Sequence, residues 1–147
     1  DIERFLEIYR EESTKSVKPF DGILEVIKNL RNKNLYIVTN KDEESARLIL
    51  KKFDMERYFK KVIGRDTFNL KKPDPKILDI ILKEENLKRD EVIIIGDSEI
   101  DYQFAKNCNV KIAIVLWGGI GEIEKLEKLD ADFFLNEPNE ILNIIKS

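Results

Sequence analysis

The run Val92-Ile93-Ile94-Ile95-Gly96 is apolar and β-branched almost throughout, a pattern that suits a parallel strand buried on both faces. Leu35-Tyr36-Ile37-Val38 and Lys111 to Leu116 have the same character, and Val62-Ile63-Gly64 and Asp132 to Leu135 are shorter candidates. Helical spacing fills the intervals: Ile23, Ile27 and Leu30; Ala46, Ile49, Leu50 and Phe53; Ile77, Ile81 and Leu82; Ile100, Phe104, Ala105 and Cys108; Ile123, Leu126 and Leu129. Asp74 and Pro75 suit the N-cap and first position of the third of these, and Pro138 opens a closing helix. Single helices alternating with strands require right-handed crossovers, so the fold class is α/β, a doubly wound parallel sheet with helices on both faces. Ile2, Phe5, Leu6 and Tyr9 follow helical spacing and predict an amphipathic opening helix that fades by Ser16. The one organisational break is near residue 16, before the turn at Lys18-Pro19-Phe20-Asp21-Gly22.

Composition narrows the chemistry. The 147 residues include no histidine and one cysteine, Cys108. Ser-His-Asp and Cys-His nucleophile systems, His-based zinc sites and phosphohistidine relays cannot be built from this chain, nor can a disulfide or a CxxC pair. A single thiol fits a reducing, cytoplasmic setting. The longest apolar run, Ile112 to Trp117, is far too short for a membrane span, and no signal-peptide pattern opens the sequence. A formal net charge of −3 with interspersed signs argues against a nucleic-acid surface. Catalysis therefore falls to carboxylates, lysines, hydroxyls or a bound ion.

In an open parallel sheet, ligands bind beyond the carboxyl ends of the strands. Thr39 follows one strong strand and Asp97 another. Gly96-Asp97-Ser98-Glu99-Ile100-Asp101 sets one carboxylate at a strand tip and a second four residues on, where a helix starts, so both can converge on one ion. Hard oxygens of this kind suit Mg²⁺. Gly96 allows close approach of a ligand to the backbone. Taken singly each residue has a plainer reading: Asp97 as a helix N-cap favoured by the dipole, Asp101 as a solvated helix position, Thr39 as a strand-end hydroxyl. Lys72, in Leu70-Lys71-Lys72-Pro73-Asp74-Pro75, precedes a stiff turn and is either a fixed charge for an anion or solvated surface. Gly118-Gly119 lines the pocket or makes a turn.

Ile37-Val38-Thr39-Asn40-Lys41, Lys72-Pro73-Asp74-Pro75 and Gly96-Asp97-Ser98-Glu99-Ile100-Asp101, in that order on alternating elements, resemble motifs two, three and four of the haloacid dehalogenase superfamily, most closely its phosphoglycolate phosphatase group. The resemblance covers residues 17 to 147 and implies a Mg²⁺-dependent phosphatase of small phosphorylated metabolites. It implies that Thr39 and the Asn40 backbone bind the transferring phosphoryl group and that Lys72 neutralises its oxygens. It further implies that Asp97 ligates Mg²⁺, with Asp101 either a second ligand or the partner that fixes Lys72. These are positioning and electrostatic roles, which phosphoryl transfer requires and which need no imidazole.

The family's first motif, a hydrophobic strand followed by DxDGT that carries the nucleophile, is missing. Asp130-Ala131-Asp132 has the spacing but precedes its strand, at the wrong end of the sheet. In the family that strand lies between those ending at Thr39 and Asp97, so a gap with unpaired buried backbone groups is expected there. Residues 1–16 resemble the remnant of the helical cap. The expectation is a C-terminal portion of a longer enzyme whose missing strand comes from a separate segment. The alternatives are a nucleophile-less phosphate- or metal-binding or interaction module, and, less well, the metal-free dehalogenase branch. A receiver domain orders its acids and lysine differently.

Overall fold

The computed structural model describes residues 3–6, 9–13, 16–19, 22–30, 32–117 and 123–145. In chain order the strands are β1 (Glu3–Leu6), β2 (Tyr9–Ser13), β3 (Ser16–Pro19), β4 (Leu35–Val38), β5 (Lys61–Ile63), β6 (Val92–Gly96), β7 (Lys111–Val115) and β8 (Phe133–Leu135). The helices are α1 (Ile23–Asn29), α2 (Glu43–Lys52), α3 (Lys76–Glu85), α4 (Glu99–Cys108), α5 (Ile123–Glu127) and α6 (Ile141–Ile144). Six strands form one parallel sheet in the order β5-β4-β1-β6-β7-β8, while β2 and β3 pair as an antiparallel hairpin.

Strands β4 and β6 are buried along their whole length, and the period-2 alternation divides the side chains of β4, β6 and β7 between two cores. Leu35, Ile37, Ile93, Ile95, Ala113 and Val115 pack with residues of α1, α2 and α6. Tyr36, Val38, Ile94, Ile112 and Ile114 pack with Ile77, Leu78 and Ile81 of α3, Phe104, Ala105 and Cys108 of α4, and Leu126 of α5. This is the helix-covered parallel sheet that the β-branched runs predict. Two expected stripe members depart from it: Ile100 and Ile123 are 48% and 42% exposed at the first positions of their helical stripes. The N-terminus of α3 is one residue later than predicted. Pro75 is its N-cap, and Asp74 Oδ1 accepts from Lys76 N at 2.9 Å.

The N-terminal segment departs more. Phe5, Leu6 and Tyr9 lie in strands β1 and β2, where a helix was expected; Ile2 is outside the described residues. β1 occupies the slot between β4 and β6, with Phe5 in register with Tyr36 on one side and Ile94 on the other. The expected gap is therefore filled from within the chain. The physical reason is the demand of the two neighbours: β4 and β6 each present a row of buried N–H and C=O groups, and a strand between them satisfies both rows. Pairing of this kind overrides a short helical periodicity.

The amino end of β4 is tied to α3 by a charged cluster. Tyr36 Oη donates to Glu85 Oε1 at 2.7 Å, Lys60 Nζ lies 2.8 Å from the same oxygen, and Lys61 Nζ lies 3.3 Å from Oε2. The Glu85 side chain is only 9% exposed. The hydrogen bond from Lys60, followed by those from Tyr36 and Lys61, overcomes its desolvation and holds its pKa down at about 2, against an ordinary 4.5. A depressed carboxylate pKa contributes stability that is complete above about pH 4.5 and is lost as pH falls toward 2. Glu85→Gln should thus flatten the acid limb of the urea-denaturation midpoint and cost about 2 kcal/mol at pH 7. An acid limb unchanged by the substitution would assign it to other carboxylates.

Candidate functional site

Thr39 follows β4 and Asp97 follows β6, so the sheet carries both to one edge, as parallel strands must. Thr39 is 5% exposed; its N–H donates to Ile63 O at 2.9 Å, and its Oγ1 accepts from Lys41 N at 3.2 Å. That second bond makes a tight hydroxyl-backed turn of Thr39-Asn40-Lys41. The Asn40 side chain closes a two-way clamp on the peptide of Lys72: Nδ2 donates to Lys72 O at 3.2 Å, and Oδ1 accepts from Lys72 N at 2.8 Å. Lys72 is thereby placed beside Thr39, although 32 residues separate Asn40 from Lys72.

Lys72 and Asp101 form a buried ion pair, with Nζ to Oδ1 at 2.7 Å and side chains 7% and 3% exposed. The other Asp101 oxygen, Oδ2, accepts from Asp97 N at 3.1 Å and Ser98 Oγ at 2.9 Å. Ser98 is the N-cap of α4, its Oγ accepting from Asp101 N at 3.2 Å. The plainer alternative for Asp97, a helix N-cap, is not what the structure shows: the cap of α4 is Ser98. Of the two roles open to Asp101, the structure shows the pairing with Lys72, and three donors occupy its oxygens. Any Cβ on Gly96 would collide with Cβ, Cγ and Oδ2 of Asp101. The neighbour that requires glycine at 96 is thus a carboxylate of this chain, where an approaching ligand was expected.

Asp97 is half-buried, and its carboxylate makes no hydrogen bond or ion pair with another side chain among the described residues. Loss of solvent, and then the charge of Asp101, push its pKa up to about 6 from 3.8; Lys72 opposes the shift. A desolvated carboxylate beside a second one attracts a cation. Among the described residues no group of three or more acidic, histidine or cysteine side chains could hold a metal by itself. Mg²⁺ fits this donor set, because it is held through one or two carboxylates and completes its shell with water and phosphate oxygens.

The structure thus brings Thr39, Asn40, Lys72, Asp97 and Asp101 to one sheet edge. Gly118-Gly119 lies outside the described residues. Asp132 lies at the opposite end, where its Oδ2 accepts from Ile112 N at 2.8 Å at the start of β7, in keeping with the rejection of Asp130-Ala131-Asp132 as a catalytic pair. Two supporting roles are new in the fold, the Ser98 cap and the clamp made by the Asn40 side chain. Ser98-x-x-Asp101 is a capping signature visible in the sequence. The Asn40 side-chain clamp has no local signature.

The sequence model of the haloacid dehalogenase-like hydrolases matches residues 1–115. The chain belongs to that family. A phosphoglycolate phosphatase of Aquifex aeolicus is 31% identical over 150 residues, covering 98% of this chain and 67% of the relative. The pyrophosphatase PpaX of Halalkalibacterium halodurans is 30% identical, covering 98% and 69%. A crystal structure of a HAD-superfamily hydrolase, subfamily IA, from Geobacter sulfurreducens superposes with a TM-score of 0.75 at 22% identity, covering 88% of this chain and 62% of its own. This haloacid dehalogenase-like chain therefore spans about two thirds of the length of its curated relatives. Among the described residues no helix is long and apolar enough to cross a membrane.

Proposed function

We propose that this chain is the phosphoryl- and metal-binding part of a Mg²⁺-dependent phosphatase of small phosphorylated metabolites, akin to phosphoglycolate phosphatase. The observation that carries the reading is the buried Lys72–Asp101 pair, held beside Asp97 at the sheet edge that also bears Thr39. Asp101 keeps the Lys72 ammonium charged and fixed, so a cation is preorganised where phosphoryl oxygens would gather negative charge. The Thr39 hydroxyl and the Asn40 backbone bind the same group, and the Asn40 side chain keeps Lys72 in reach. Asp97 holds Mg²⁺, which when bound supplies positive charge to the phosphoryl oxygens. The nucleophilic carboxylate comes from a DxDGT strand in a separate segment that takes the slot occupied here by β1, with residues 1–16 then belonging to the cap. The absence of histidine suits this chemistry, and the single buried thiol suits a cytoplasmic setting.

The test is hydrolysis of p-nitrophenyl phosphate and 2-phosphoglycolate by the full-length protein. Turnover should require Mg²⁺ and fall at least about a hundredfold on chelation, as loss of several kcal/mol of charge stabilisation implies. Turnover indifferent to chelation would overturn the metal assignment. Absence of turnover in the full-length protein would favour the non-catalytic module.

A further inference from the structure

Asn107, the last residue but one of α4, is exposed and lies outside every segment that marks the site. Its Nδ2 donates to Pro73 O at 2.9 Å, although 34 positions separate the two residues. Pro73 directly follows Lys72, so this bond grips the loop that the Asn40 side chain already holds. Asp74 N donates to Lys71 O at 3.0 Å and makes a β-turn of residues 71–74. That bond uses neither of the two central carbonyls, Lys72 O and Pro73 O, and these are the ones the two asparagines take.

The same helix holds the far end of the lysine side chain, through Asp101 Oδ1 on Lys72 Nζ at 2.7 Å. Positions 101 and 107 stand about 9 Å apart along a helix axis. Lys72 is therefore fastened to one rigid element twice, by its ammonium near the start of α4 and by the carbonyl that follows it near the end. The Asn40 clamp fastens its own N–H and C=O to the turn after β4. A lysine carries its charge on a flexible four-carbon stem, so the ammonium is only as well placed as the backbone behind it. Here both ends of the stem are fixed.

We propose that Asn107 is a positioning residue for the phosphoryl-binding Lys72: by fixing the Pro73 carbonyl it completes, with the Asn40 clamp and the Asp101 pair, a mount that orders the ammonium before a phosphate arrives. The inference rests on the phosphoryl site proposed above. Ordering a flexible side chain in advance removes an entropic cost from ligand binding. The gain goes to the anion that Lys72 meets, and Mg²⁺, held by Asp97, does not share it.

The experiment is calorimetric binding of Mg²⁺ alone, and of inorganic phosphate in the presence of Mg²⁺, to the full-length protein. Asn107→Ala should weaken phosphate about three- to fivefold, as loss of one hydrogen bond implies, and Asn40→Ala, which removes two, about tenfold. Mg²⁺ affinity should be unchanged in both. Alanine is the better helix former at an exposed helical position, so Asn107→Ala should keep the urea midpoint of the wild type while it loses phosphate affinity, a combination that a merely structural role would not produce. Asn107→Gln keeps an amide donor and should recover part of the loss. Phosphate affinity unmoved by Asn107→Ala, or phosphate and Mg²⁺ weakened alike, would overturn the role of Asn107 while leaving the phosphoryl site standing. Failure of the wild type to bind phosphate would overturn that site and this inference with it.

Discussion

Lys72→Met is expected to destabilise the protein by about 3–5 kcal/mol, the range seen when one partner of a buried ion pair is removed. The Asp101 side chain is 3% exposed, and Lys72 is its partner for Oδ1. Methionine keeps most of the volume, so packing is nearly preserved and the loss reports the stranded charge. The bonds from Asp97 N and Ser98 Oγ to Oδ2 remain and do not replace an ammonium. The double variant Lys72→Met/Asp101→Leu should recover much of the loss, because a buried pair replaced by apolar groups of similar size is often neutral. Denaturant midpoints of the four proteins measure the coupling directly. A Lys72→Met protein within about 1 kcal/mol of the wild type would mean that the pair is solvated and that Lys72 is not held for a ligand.

Asp97→Asn should do the opposite to stability while removing function. The Asp97 pKa is pushed up to about 6 by desolvation and by Asp101. A carboxylate whose folded pKa is raised contributes stability below its unfolded pKa, near 3.8, and that contribution is lost as pH rises through 6. In metal-free buffer at pH 7 the wild type therefore carries an unfavourable charge that asparagine lacks. Asp97→Asn should be more stable by about 1–2 kcal/mol, and its stability should lose the decline between about pH 4 and 6. With Mg²⁺ the order should reverse, since the metal stabilises only the form that binds it. Turnover of a phosphate ester by the full-length protein should fall by about 10³-fold or more in the same variant. Undiminished turnover would end the assignment of Asp97 as the metal ligand, and a variant less stable than the wild type without metal would contradict its strained charge.

The residues that could be read in advance are those whose environment is local. Val92 to Gly96 is β-branched because both faces of that strand are covered, and the alternation of Ile93 and Ile95 with Ile94 follows from the pleat. Asp97 and Thr39 were legible because a polar residue directly after a buried strand must stand at the sheet edge. The helical spacing of Phe5, Leu6 and Tyr9 misled, because residues 3–6 are governed by the hydrogen-bonding rows of β4 and β6, which no window on the first ten residues contains. Asn40 and Asn107 hold a loop that meets them only in the folded chain, so composition around them carries no sign of their contacts with Lys72 and the Pro73 carbonyl. Gly96 was legible as a close approach but not as an approach to Asp101, since the turn that brings position 101 back over 96 is set by the Ser98 cap.

A crystal structure of the full-length protein with Mg²⁺ and inorganic phosphate tests the phosphoryl site outright. Mg²⁺ is expected on the Asp97 carboxylate, and phosphate oxygens within hydrogen-bond distance of Thr39 Oγ1 and Lys72 Nζ, with the Lys72–Asp101 contact retained. Phosphate and metal bound away from this sheet edge, with Thr39, Lys72 and Asp97 contacting neither, would contradict it.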